Sequence, residues 1–259
     1  MKESHGNQPE FVANPVLFEE SSHSGADLSD ILVDKMPCTV VSKQQEWVSD
    51  DDPVVLTRIF EQDISLVQWN RQPDAGTMIY VNWLLNRGRL LPLRLVASPE
   101  LLQEQLKDDL PDHPHRDAFI NDMIWLAEMF ACLFGMEEVG LRLSLLKDAM
   151  CPRFHVDRIG ARMVCTYAGA GTEWLSSANL NRSRLGAGSG GLSDEDSGLY
   201  INTGEAGVTE KSDIHAVPAG AVALMKGDLW PDREGQGLVH RSPACSETRP
   251  RLFLSMDVL

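Results

Sequence analysis

Basic residues are scarce in this chain: 23 Lys and Arg stand against 38 Asp and Glu, a formal net charge of −15 at pH 7. Nucleic-acid binding draws its affinity from cationic neutralisation of phosphates, so this imbalance sets DNA and RNA aside as partners. Cysteine is sparse too. The five thiols (Cys38, Cys132, Cys151, Cys165, Cys245) form no Cys-x-x-Cys pair, and an odd number suits reduced thiols better than a disulfide framework. Long apolar runs are missing. Met1 to Phe18 lacks the basic flank and hydrophobic core of a signal peptide. The most apolar stretch, Met123 to Phe134, carries Glu128 and falls well short of the ~20 residues that cross a bilayer. The expectation is a cytoplasmic protein with no membrane partner.

What is present suits a globular domain. Hydrophobic residues make up 43% of the 259 and charged residues 24%, the balance of an ordinary folded protein. The first 25 residues are polar and weakly periodic, which predicts a mobile N-terminal segment. Residues 26–259 read as one domain, with some strand character at Cys38 to Ser42.

Helical support is expected over about 50–136. Asp52-Pro53 is an N-cap followed by proline in the first turn, with Leu56, Ile59 and Phe60 supplying an apolar stripe. Ser98-Pro99-Glu100 opens a second helix through Leu110. Asp117 to Phe134 is the clearest helix, broadly apolar along Phe119, Ile120, Met123, Ile124, Ala127, Phe130 and Ala131, with Gly135 as its C-cap.

After Gly135 the apolar period shortens to about two. Val139 to Leu146, Arg162 to Tyr167, Ala221 to Met225 and Leu252 to Val258 read as strands, and Lys226-Gly227-Asp228 reads as a turn. The Gly/Ser/Asp-rich stretch 186–198 lacks the Lys-Ser/Thr ending of a phosphate-binding loop and reads as a flexible lid or insertion. The fold class is therefore α+β, with the β-rich half at about 137–259.

Chemistry concentrates in that half. His155 and Asp157 form a His-x-Asp pair, His240 follows 85 residues later, and Arg251 lies 11 beyond it. On an extended segment residues i and i+2 point to the same side, so the imidazole and carboxylate of the pair converge. Two neutral imidazoles and a carboxylate are the donor set that holds one face of a mononuclear non-haem Fe(II), leaving the other face open. Arginine matches a carboxylate with its planar fork, and a dicarboxylate co-substrate needs such a cation. Arg249 shares the parity of Arg251, so either guanidinium can point inward on this pattern.

The set His155-x-Asp157, His240 and Arg251 resembles the Fe(II)/2-oxoglutarate-dependent dioxygenase superfamily. That resemblance implies a double-stranded β-helix (jelly-roll) core in the C-terminal half, braced by the N-terminal helices. It also implies 2-oxoglutarate as co-substrate, with Arg162 and Tyr167 as further contacts to it, and a small-molecule or protein substrate. The wider text, CPRFHVDRIGARMVCTYAGAGTEWL and PAGAVALMKGDLWPD…GLVHRSPA, resembles a bacterial domain-of-unknown-function family from about residue 30 onward, with a suggested link to zinc homeostasis.

Rival readings remain at this point. The same three ligands suit Zn(II) in a non-catalytic cupin-like protein serving zinc or iron homeostasis, or zinc hydrolysis with Glu173 as general base. His215 is an alternative to His240. Cys151 and Trp174 read more simply as core filling, and His113 and His115 as a solvated loop.

Overall fold

The structure, a computed structural model, describes residues 45–199 and 214–258. The stretches expected to be mobile (1–25) and extended (38–42) lie outside the described residues. The architecture is mixed α+β: a seven-stranded sheet carries helices on one face and a three-stranded sheet on the other.

The large sheet is formed by β1 (Trp47–Asp50), β2 (Leu66–Trp69), β3 (Leu93–Ala97), β4 (Val139–Leu146), β5 (Ala161–Ala168), β8 (Val222–Lys226) and β10 (Arg251–Asp257), in the order β1-β2-β8-β5-β10-β4-β3. Every pairing is antiparallel except the parallel β1–β2 edge. Three of these strands come from the first 97 residues, which the sequence pattern assigned to helical support or left unassigned. They are four or five residues long, too short to develop a readable period. The small sheet contains β6 (Glu173–Leu175), β7 (Ile214–Ala216) and β9 (Val239–Arg241), in the order β7-β6-β9.

Strand alternation sorts the two faces. Met163, Cys165 and Tyr167 of β5, with Leu252, Leu254 and Met256 of β10, pack against the helices. Leu66, Val164, Ala223 and Met225 face the small sheet, where Trp174, Val217 and Leu238 meet them. The helical layer holds α1 (Ala75–Arg87), α2 (Pro99–Asp109) and α3 (Arg116–Phe134). Asp74 caps α1 by accepting the Thr77 amide at 2.9 Å, and Ser98 caps α2 as expected. Gly135 ends α3 in the left-handed conformation the sequence called for. Pro53–Phe60 begins after its Asp52 cap as expected but winds as a 3-10 helix. No described helix is long and apolar enough to cross a membrane.

Two local features aim side chains at the site. The β10–β5 register shifts between Leu252 and Phe253. There the chain turns close at Gly169, where φ is +88° and a Cβ would lie 2.7 Å from the Pro250 carbonyl oxygen and 3.0 Å from Arg251 Cα. Only glycine tolerates that approach, and it lets Arg251 settle between β5 and the loop that leads to Thr172. The second feature is the 186–198 segment. Asp194 is buried and accepts the Phe154 amide at 2.9 Å, Arg153 Nε at 3.3 Å and Arg241 Nη1 at 3.4 Å. A carboxylate with three donors fastens this loop beside the site, so it is an anchored flank rather than the free lid the glycine content suggested.

Candidate metal centre

The site forms where residues from two distant stretches pair. His155 and His240 are joined by reciprocal backbone hydrogen bonds, each amide donating to the other's carbonyl at 3.0 Å. That mutual pair sets the two rings side by side, their centroids 4.7 Å apart. Asp157, two residues along, is held from behind: its carbonyl accepts the Asp228 amide at 2.8 Å. Gly227 makes this possible, since a Cβ there would lie 2.2 Å from the Ile159 carbonyl oxygen and 2.8 Å from that of Asp157.

His240 Nε2 lies 3.2 Å from Asp157 Oδ2, and His155 Nε2 lies 3.6 Å from Asp157 Oδ1. Ligand atoms about 2.1 Å from one ion and about 90° apart are separated by roughly 3 Å. One divalent ion therefore fits among the three, whose ligand atoms all lie within 4.8 Å of one another. The tautomers suit this role. His155 Nδ1 is 2.9 Å from the Arg153 carbonyl oxygen, and His240 Nδ1 is 3.1 Å from that of Leu238. Each Nδ1–H donates to its carbonyl, which leaves both Nε2 lone pairs for a metal.

Burial alone would raise the Asp157 carboxyl. When Nε2 also carries a proton, hydrogen bonds from His155 and His240, with the charges of His240 and Arg162, outweigh burial and hold the group well below the usual carboxylate range. The hydrogen bond to Asp157 in turn raises His155 above 6.5, against the opposing effect of burial. A proton on His155 competes directly with a metal ion. Metal affinity should thus fall as pH drops through the His155 pKa, by about tenfold per unit for one competing proton. Metal titrations between pH 5.5 and 8 check this, and an affinity flat across that range would contradict it.

Among the described residues Arg251 is the largest fully buried side chain, only 1% exposed. Its Nη1 donates to Ser242 Oγ at 3.0 Å, and its Nη2 to Thr166 Oγ1 at 3.0 Å and Thr172 Oγ1 at 2.8 Å. The guanidinium also covers the Phe253 ring at 4.1 Å. Its Nε has no partner, and among the described residues no carboxylate pairs with it. Burial pulls its pKa down to about 10, so it is still charged at neutral pH. Arg251, His155 and His240 line one narrow, partly open cleft of about 40 Å³ with Arg162, Val164, Met225 and Phe253.

The other residues singled out in the sequence divide sharply. Arg162 lines the cleft, but its guanidinium is committed to carboxylates: Nη1 to Asp157 Oδ2, Nε and Nη2 to Asp257 at 2.6 and 2.9 Å. Arg249 is exposed in the tight turn closed by Ser246, outside the cleft. Tyr167 faces the helices instead. Its ring packs edge-on against Phe119, and its hydroxyl donates to Asp122 Oδ2 at 2.6 Å, where Arg71 also binds. Tyr167→Phe should cost about 1.5–3 kcal/mol of stability, the worth of a hydrogen bond to a charged group, and leave metal affinity unchanged. Paired denaturation and metal titrations of the variant check both halves.

Cys151 lines the cleft mouth, whereas Trp174 is core between the sheets and stacks on His215 at 4.3 Å. His215 is therefore occupied away from the centre. Glu173 is bound to Arg241 at 2.6 Å, which leaves no idle base there. His113 stacks on Trp83 at 4.8 Å beside His115, far along the chain from the three ligands. Sequence reasoning missed Thr166, Thr172, Ser242 and Asp257. The hydroxyl residues carry no spacing signal, and Asp257 is visible only once its register opposite Arg162 is known.

The chain belongs to the family described as "Protein of unknown function (DUF1826)", whose model matches residues 50–257. No curated protein matches it. Among solved structures it is similar to a Pseudomonas putida prolyl-4-hydroxylase, at 14% identity and a TM-score of 0.38, over 79% of this chain and 91% of that one. It is also similar to an oxidoreductase of the 2OG-Fe(II) oxygenase family from Burkholderia pseudomallei, at 11% identity and a TM-score of 0.38, over 82% and 94%. Both are likenesses of fold alone.

Proposed function

We propose that the chain is an Fe(II)- and 2-oxoglutarate-dependent oxygenase on a jelly-roll core, acting on a small-molecule or protein substrate. The observation that carries this reading is Arg251: a fully buried guanidinium with no counter-anion among the described residues, in the same cleft as His155 and His240. A buried charge with no partner costs several kcal/mol. That cost is offset once an anion enters.

A dicarboxylate meets both ends of the cleft. Its keto-acid end belongs at the ion held by His155, Asp157 and His240, and its far carboxylate belongs at Arg251. Ser242, Thr166 and Thr172 each accept a hydrogen bond from Arg251. Each therefore retains an O–H to donate to that carboxylate. Val164, Met225 and Phe253 supply apolar walls, and a low-dielectric lining strengthens charge pairing. Iron with 2-oxoglutarate and O2 supplies, when bound, oxidative decarboxylation coupled to oxidation of a substrate C–H bond. The protein's share is positioning and a dry cavity.

A non-catalytic zinc protein would use the same three ligands but has no need of a buried cation in the cleft beside them. The decisive assay is succinate release from 2-oxoglutarate by protein purified without oxygen, then given Fe(II) and O2. Release that requires both is the expected result. A protein that holds one zinc and releases no succinate under any metal contradicts the reading.

A further inference from the structure

Arg162 stands beside the metal centre with every arm of its guanidinium assigned. Nε and Nη2 grip both oxygens of Asp257, directly across the β5–β10 pairing, and Nη1 reaches Asp157 Oδ2. Asp257 is itself only 7% exposed and also meets Arg142 at 3.4 Å. The fork is therefore fixed from behind by a two-point contact on a rigid sheet, and its remaining donor is aimed at a candidate ligand.

We propose that Arg162 is a positioning residue for the metal: with Asp257 it fixes the rotamer of Asp157 and so sets the affinity of the three-ligand site. This rests on the metal-centre reading above but not on the identity of the co-substrate. Charge explains why two residues are needed. A lone guanidinium beside the ligand set would repel a divalent cation and draw charge from Asp157. Paired in two-point fashion with Asp257, Arg162 contributes orientation with its charge largely compensated. Partners of ligating carboxylates typically carry 10–100-fold in metal affinity. The arrangement also frees the co-substrate end of the cleft from competition, because all three guanidinium nitrogens of Arg162 are engaged by Asp157 and Asp257.

Co(II) alone is the probe, since its visible spectrum reports both binding and coordination. Arg162→Gln should weaken Co(II) binding about 10–100-fold and alter the bound spectrum as the Asp157 carboxylate is released. Arg162→Lys, which keeps the charge but cannot span two carboxylates, should recover only part of the affinity. Asp257→Asn should also weaken binding, because it loosens the fork and leaves its charge uncompensated. In an Asp157→Ala background, Arg162→Gln should cost nothing further, since its route to the metal is gone.

Folded Arg162→Gln protein with wild-type affinity and spectrum overturns the inference and leaves the metal centre standing. Equal losses with and without Asp157 overturn it as well, by showing that Arg162 acts elsewhere. If Arg162→Gln does not fold, the lysine and Asp257→Asn variants decide by the same criterion. Wild-type protein that fails to bind Co(II) removes the inference and the metal centre together.

Discussion

Arg251→Ala should keep its metal and lose its co-substrate. The side chain is buried, and its guanidinium bonds to three hydroxyls and covers an aromatic ring, none of them a candidate metal ligand, so the ligand geometry survives its removal. Truncating one partner of a buried, hydrogen-bonded charge pair costs about 2–5 kcal/mol. At 1.4 kcal/mol per tenfold, 2-oxoglutarate affinity should fall roughly 30- to 3,000-fold. In stability, relief of an uncompensated buried cation is opposed by the cavity and the three lost hydrogen bonds. Calorimetric titration of 2-oxoglutarate into metal-loaded protein, wild type against variant, measures this. A metal-dependent affinity that survives the change would mean the anion sits elsewhere. Arg249→Ala, an exposed residue outside the cleft, should leave that affinity intact.

The second large effect is on metal itself. Asp157→Ala removes the carboxylate that lies 3.2 Å from His240 Nε2 and 3.6 Å from His155 Nε2, leaving two imidazoles to hold a divalent ion. Losing a direct ligand should exceed the 10–100-fold typical of outer partners, so metal content after dialysis should fall from one equivalent to nearly none. The fold should persist, because Arg162 retains both oxygens of Asp257 and is not left unpaired. A thermal consequence follows from mass action. An ion that binds only the native state stabilises it by about 2.7 kcal/mol at a hundred times Kd. Wild-type protein should thus gain Tm on metal addition and Asp157→Ala should not. An equal gain in both would place the metal at other residues.

Part of the candidate site was legible because some of its signals are local. His155 and Asp157 are two residues apart, and the turn at Lys226–Asp228 announced the loop that supports them. The long helix ending at Gly135 and the strands β4, β5 and β10 also stood out, each having enough residues to show a period, while β8 was marked by an apolar run that ends at the Lys226-Gly227-Asp228 turn. The β1, β2 and β3 strands did not, and α1 was missed because polar residues such as Asn82 and Asn86 interrupt its stripe.

Side-chain direction was partly readable and partly misjudged. Arg162 and Tyr167 lie five apart on one strand, so period-two alternation alone puts them on opposite faces. The structure bears that out: one meets Asp157 and the other Asp122. The choice between Arg249 and Arg251 was beyond sequence reasoning, since it depends on the Ser246–Arg249 turn and the close approach at Gly169. The hydroxyl cup around Arg251 gathers residues 79 and 85 positions away in the chain, a distance at which no spacing rule operates.

The central claim is that an ion and a buried guanidinium share one organic dianion. The direct test is visible absorption of Fe(II)-loaded protein titrated with 2-oxoglutarate in the absence of O2. A charge-transfer band that saturates at one equivalent, needs the iron and is displaced to far higher concentration in Arg251→Ala is the predicted result. Protein that retains its iron yet shows no band at any 2-oxoglutarate concentration would contradict the account.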